Sequence, residues 1–327
     1  MNYRQFGQTD LQVSEVGFGA WGIGGPAMVG DIPIGWGDVK EDQSIAAIKK
    51  SLDLGINFFD TADFYGFGHS EQVLGKILGP MKDIIIATKV GQRMNEKEEF
   101  EVVYTKEYIL RACEASLRRL GRDTIDFYQL HTARVPDLEQ GGCIEAMELL
   151  KEQGKIRYWG LSLNTMIPEP EAQWLMERNL GDGFQVVLNI INQRGLSVIR
   201  EAGKKKLGII ARMPLQFGLL TGKFTKATRF PNNDHRAFRL PPDFLAEMLD
   251  ALEVVWPLCE KYQIDKTSLA MSYILSQPEV STVIPGIKTK AQAEANVSGI
   301  VQLEKEDLNF LQKLFEEQFD DLVSRMK

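Results

Sequence analysis

Cysteine is scarce in this chain. Its 327 residues include three, Cys113, Cys143 and Cys259, and none stands in a CxxC or zinc-ligand spacing; the pattern excludes a disulfide framework and points to buried thiols in a reducing compartment. Histidine is equally rare. His69, His131 and His235 form no cluster, so no metal site is expected. Positive charge is in deficit: 38 Lys and Arg stand against 45 Asp and Glu, a formal charge of -7. That balance argues against nucleic acid or an anionic membrane surface as the main partner. No apolar run approaches the ~18 residues of a membrane span, and Met1 to Asp10 has no signal-peptide core. A cytoplasmic protein acting on a small molecule is the expectation.

What is present is the composition of an ordinary globular protein, 44% hydrophobic and 25% charged. No linker, low-complexity tract or shift in composition divides it, so residues 1–327 are expected to form a single domain. Tyr3 to Glu15 alternates on both sides of a Gln-Thr-Asp turn, as a β-hairpin that could plug one end of a barrel. Val16 to Gly25 (VGFGAWGIGG) is an apolar strand running into glycines that allow close backbone approach to a ligand.

From there one unit recurs. Helices expected over 43–54, 70–78, 105–120, 142–153, 169–178, 196–206 and 267–276 lead into β runs at 57–61, 84–90, 125–131, 158–163, 184–189, 208–215 and 281–285. A helix over 290–299 follows, and a polar, proline-bearing stretch over 223–243 is expected as a loop across the mouth. Counting from Val16 gives eight parallel strands with crossover helices, an α/β fold of the (β/α)8 TIM-barrel type. An open doubly wound sheet would carry GxGxxG after its first strand, and GFGAWG lacks that spacing.

Active sites of such barrels lie at the C-terminal strand ends. Phe58 to Glu71 (FFDTADFYGFGHSE) is a buried β run breaking into polar, glycine-rich sequence, with Asp60 on the strand and Tyr65 just beyond. Lys89 lies within IIIATKVG, where a buried ammonium needs a counter-ion, and Asp60 on the neighbouring strand is the natural one. His131 closes the next strand. Taken singly, the Asp-Lys pair could be a structural salt bridge and the histidine a core residue. Their arrival together at adjacent strand ends favours a site.

FFDTADFYGFGHSE, ATKVG and FYQLH resemble the aldo-keto reductase family along nearly the whole chain. The resemblance implies a catalytic tetrad of Asp60, Tyr65, Lys89 and His131. Tyr65 would give a proton to a carbonyl oxygen, with Lys89, held cationic by Asp60, stabilising the phenolate and His131 orienting the carbonyl. It further implies an extended nicotinamide cofactor. Ser162, Asn164 and Gln185 would hold the carboxamide, and Gly19, Ala20 and Trp21 would line the nicotinamide end. RMPLQFGLLTGK would supply the pyrophosphate loop through Arg212, Met213, Pro214, Leu215, Gly218 and Lys223. IPGIKTKAQAEAN would meet the adenosine phosphate through Gly286, Lys288, Gln292 and Asn296. The sequence departs from the family where many members stack an aromatic ring on the nicotinamide, for Arg212 stands there. NADP(H) is favoured because Lys288 and Thr289 could grip a 2'-phosphate, with NAD(H) as second choice. The reading is an NADP(H)-dependent reductase of aldehydes or ketones. Its rivals are a nucleotide-binding redox-sensing or regulatory subunit and a Schiff-base enzyme using Lys89.

Overall fold

In the computed structural model, which describes residues 1–30, 32–232 and 234–326, eight parallel strands stand side by side in chain order. They are β1 (Phe18–Gly19), β2 (Phe58–Asp60), β3 (Ile85–Val90), β4 (Ile125–His131), β5 (Ile156–Ser162), β6 (Gly183–Val187), β7 (Gly208–Arg212) and β8 (Thr282–Ile284). Bridges Val16↔Val283 and Gly19↔Gly286 join the last strand to the first and close the ring. Outside it lie α1 (Glu41–Asp53), α2 (His69–Leu78), α3 (Lys106–Leu120), α4 (Gly142–Glu152), α5 (Glu169–Arg178), α6 (Leu196–Lys204), α7 (Lys266–Leu275) and α8 (Lys290–Val297). The protein is a (β/α)8 barrel with an N-terminal β-hairpin.

Strand alternation separates two cores. Residues such as Phe59, Ile86, Tyr128, Leu130, Leu161, Phe184 and Ile209 point outward and pack under the helices, the burial on both faces that parallel strands require. The inward positions form a smaller cluster at the N-terminal end: Phe58, Ile85, Ala87, Phe127, Ile210 and Ile284, joined by Phe6, Leu11 and Val13 of the hairpin. The hairpin pairs Tyr3–Gln5 with Gln12–Ser14 in antiparallel register and does plug the barrel. Phe6 is fully buried, edge-on to Phe127 at 4.9 Å between ring centroids. Gly208 makes room for it, since a Cβ there would lie 2.3 Å from the Phe6 ring.

Further along the strands the inward positions turn polar. Asp60, Lys89, Gln129, His131, Ser162 and Gln185 are all buried, and this switch puts chemistry at the C-terminal mouth. Strand ends are set by backbone geometry. β4 stops where Thr132 takes φ 67 and β7 where Met213 takes φ 56, so the expected strand over 208–215 is three residues shorter than its apolar run. Elements without a clear signal are a hairpin of Gln92–Met94 with Phe100–Val102 after β3, helices Pro242–Leu252 and Pro257–Tyr262 in the long insertion, and Lys305–Leu314 and Asp320–Arg325 beyond α8. Among the described residues the three cysteines are free thiols, and no helix is long and apolar enough to cross a membrane.

Replacing Phe6 with Ala should cost about 3–5 kcal/mol, the usual penalty for emptying a buried phenylalanine site. Urea unfolding measures this, and a loss below 1 kcal/mol would mean the plug is dispensable.

Candidate active site

The site is built around a buried ion pair. Lys89 and Asp60 are 0% and 2% exposed, and Lys89 Nζ donates to Asp60 Oδ1 at 2.6 Å, to the Thr61 carbonyl at 2.8 Å and to Tyr65 Oη at 3.3 Å. Asp60 Oδ2 accepts from Gln129 Nε2 at 3.1 Å and from Gln185 Nε2 at 2.7 Å. Both carboxylate oxygens are thus satisfied, as a buried charge demands. Burial acts to lower the Lys89 pKa, but attraction to Asp60 and Tyr65 and the hydrogen bonds to both outweigh it, leaving it above the ordinary lysine value. The amine is an ammonium at any physiological pH. A Schiff-base role, which needs a free amine, is therefore disfavoured.

Tyr65 is held by its loop. Ser70 Oγ donates to the Ala20 carbonyl at 2.9 Å and accepts from Thr61 Oγ1 at 2.8 Å, tying both ends of the 61–70 loop to the residue that follows β1. Gly66, at φ +59, packs so closely on Gly24 that a Cβ would come within 2.1 Å of the Gly24 carbonyl oxygen. The glycine-rich stretch after β1 thus serves partly to clamp the tyrosine loop. Lys89 Nζ also lies 4.9 Å from the Tyr65 ring centroid.

His131 stands edge-on to Tyr65, 5.9 Å between ring centroids. Register places it beside Ser162, which pairs in turn with Gln185, so three polar residues form one row across β4, β5 and β6. Burial, then the charges of Lys89 and Arg212, push the His131 pKa well below the usual histidine value. The imidazole is neutral at pH 7, and its Nδ1 is buried without a partner. A phenol, an ammonium behind it and a neutral imidazole beside it can together donate a proton and a hydrogen bond to one oxygen.

Tyr65 and His131 line the floor of a cavity of about 510 Å³, large enough for part of a dinucleotide together with a small substrate. Its wall among the described residues holds one carboxylate, Asp60, against five cationic side chains: Arg212, Lys223, Arg236, Arg239 and Lys288. A chain of net charge -7 has concentrated positive charge here, as a polyanionic ligand would require.

A family model, the aldo/keto reductase family, matches residues 15–316. The chain belongs to this family. Aldo/keto reductases are NAD(P)H-dependent oxidoreductases acting on carbonyl and alcohol groups, and this reductase is one of them. An L-galactose dehydrogenase of Arabidopsis thaliana is 31% identical over 312 residues, 92% of this chain and 88% of its own length. An NADH-specific methylglyoxal reductase of Escherichia coli is 28% identical, covering 95% of this chain and 97% of its own. Among solved structures, an aldo-keto reductase from Bacillus halodurans in its holo form superposes with TM-score 0.77 at 31% identity, covering 98% of this chain and 99% of its own.

Most residues named from the sequence meet at the reductase cavity: Gly19, Trp21, Asp60, Tyr65, His131, Ser162, Gln185, Arg212, Met213, Pro214, Leu215, Gly218, Lys223, Gly286, Lys288 and Gln292 line it. Lys89 lies under its floor. Ala20, Asn164 and Asn296 are outside its wall. Asn164 Oδ1 accepts from the Met166 and Ile167 amides, so this side chain shapes its own turn. Asn296 is buried with its Nδ2 unbonded. The loop after β7 is preorganised, for Met213, Gln216 and Phe217 all take positive φ and Asn189 Nδ2 holds the Met213 carbonyl at 2.9 Å.

The sequence reading placed the 223–243 loop over the mouth but missed Gln129 and His235. Gln129 was discoverable, being two residues before His131 and so on the same strand face. In the roof, His235 lies under Trp21 at 5.0 Å, edge-on to Trp36 at 4.4 Å and to Phe217 at 5.2 Å, and both its nitrogens are buried without partners among the described residues. Burial, then Arg239, lower its pKa to about 4. The folded state tolerates only neutral His235, so its contribution is complete above pH ~6.5 and falls as pH drops towards 4. Urea unfolding at pH 7 and pH 4.5 should find that His235→Phe loses less stability on acidification than the wild type, by roughly 2–3 kcal/mol. Equal losses would remove the histidine as an acid-sensitive element.

Proposed function

We propose that the protein is an NADP(H)-dependent reductase of aldehydes or ketones, running also in reverse, with Tyr65 as the group that gives and takes the proton. The observation that carries the reading is the Lys89 ammonium fixed between Asp60 and the Thr61 carbonyl, 3.3 Å from the Tyr65 hydroxyl. When bound, the cofactor supplies the hydride. Tyr65 passes its proton to the carbonyl oxygen, Lys89 stabilises the negative charge left on the phenol oxygen, and the neutral His131 orients that carbonyl by a hydrogen bond. Because Lys89 is pinned on three sides, its charge needs no rearrangement as the reaction proceeds.

The chain's own residues fit a nicotinamide dinucleotide. Gln185 spends its amide nitrogen on Asp60 and Gln129, which leaves its oxygen for a carboxamide, with Ser162 beside it in register. The cationic wall suits the pyrophosphate. Lys288 forms no ion pair with a carboxylate among the described residues, lies 5.8 Å from the Trp36 ring, and precedes α8, whose first turn is capped by Thr289. A cation and a capped helix start favour the 2'-phosphate of NADP(H) over the bare hydroxyl of NAD(H). The three free thiols agree with a cytoplasmic setting.

Mixing the protein with NADPH and a panel of aldehydes and following nicotinamide absorbance tests the reaction. Tyr65→Phe should lower kcat by about 10²–10⁴ while NADPH binding persists, and wild-type turnover in that variant would end the acid assignment. Lys288→Ala should weaken NADPH binding by about 10-fold or more, the worth of a charge-assisted hydrogen bond, and leave NADH nearly unchanged. Equal effects on both would point away from the 2' position.

A further inference from the structure

Arg212 is a cation without a counter-ion at the reacting end of the cavity. It ends β7, where its Nη2 donates to the Leu163 carbonyl at 3.1 Å and to Thr165 Oγ1 at 2.9 Å, and its Nη1 meets Met213 Sδ at 3.2 Å. Its Nε is buried and bonded to nothing. No carboxylate forms an ion pair with it among the described residues. Asp60, the single acid of the lining, is committed to Lys89 and two glutamine amides. A guanidinium cannot shed its proton to escape this position, although burial lowers its pKa from the ordinary arginine value. Its charge is felt by Tyr65, Asp60 and His131, so it stands at the same end of the cavity as the proton-transfer groups.

Lys89 and Asp60 cancel, His131 is neutral, and Arg212 is the cation of the cavity wall whose charge reaches His131 and Tyr65. Any ring that gives a hydride to a carbonyl held at Tyr65 shares this end with it. Moving the hydride to the carbonyl carbon, with the Tyr65 proton going to the oxygen, balances atoms and electrons and leaves the nicotinamide ring one unit more positive.

We infer that Arg212 makes the site discriminate between the redox forms of its cofactor, binding the neutral reduced nicotinamide in preference to the cationic oxidised one. The inference rests on the nicotinamide reading above and deepens it. Reduction of a carbonyl then begins from a well-held cofactor and ends with one that its own wall repels, while alcohol oxidation starts from the disfavoured form. Unit charges sharing one end of a cavity of effective dielectric ~20 repel strongly enough to separate the two affinities by tenfold to a few hundredfold.

The experiment needs no turnover. Dissociation constants for NADPH, by nicotinamide fluorescence, and for NADP+, by displacement of NADPH, are measured for the wild type and for Arg212→Met, Arg212→Gln and Arg212→Lys. The oxidised-to-reduced ratio of dissociation constants should fall about tenfold or more in both neutral variants and be largely kept in Arg212→Lys. Arg212→Gln retains a side-chain donor for the Leu163 carbonyl, which guards against mere loss of fold in the methionine variant. An unchanged ratio in a folded neutral variant overturns the inference. So does equal weakening of both forms, which would make Arg212 a phosphate ligand, or a rise in substrate KM alone, which would make it a substrate anchor. If the wild type bound neither form, the nicotinamide reading would fail first and carry this inference with it.

Discussion

Everything at the mouth of this barrel depends on one buried ion pair. Taking an ammonium and a carboxylate out of water costs several kcal/mol per ion, and their attraction offsets this only when every remaining donor and acceptor is matched. Here the matching is complete: Lys89 has Asp60, the Thr61 carbonyl and Tyr65, and Asp60 has Lys89, Gln129 and Gln185. These partners come from four stretches of chain, so the pair forms only once β2, β3, β4 and β6 are in register. Charge placement and barrel closure are thereby one event, and the phenol beside the ammonium inherits its position from both.

The second organising constraint is the division of the barrel interior. Phe6, Phe58 and Phe127 fill the N-terminal end, while at the other end the same inward faces carry Asp60, Lys89, Gln129, His131, Ser162 and Gln185. A packed floor lets buried polar groups be held without water beneath them, where their interactions are stronger than at a wet surface. Above them the wall is cationic in a protein that is acidic as a whole, so the local field differs in sign from the overall one. Net charge told against nucleic acid as partner and said nothing of this pocket.

The parts of this arrangement that sequence revealed are those with a short-range cause. β4 has the bounds expected for IDFYQLH, and α5 those expected from Glu169 to Arg178, because strand alternation and helix periodicity are local. Asp60, Lys89 and His131 were visible as polar residues ending apolar runs. Gln129 was visible in principle by the same alternation. The His235 cage was not, since Trp21, Trp36 and Phe217 come from three separate segments and only the folded chain brings them round one ring. Asn164 shows the limit of motif transfer: its side chain closes an Asx turn instead of joining the cavity wall. The premature end of β7 has a similar cause, for nothing in the apolar run announces that Met213 will turn left-handed.

Sealing one end of a barrel has a kinetic side. With the Phe6 hairpin stopping the far end, the cavity opens among the described residues at the mouth, where His235 and its aromatic neighbours line it. Two ligands sharing such a cul-de-sac enter by one passage, a shape that favours the deeper one arriving first and departing last. A queue discipline of this kind follows from the shape of the vessel before any affinity is considered.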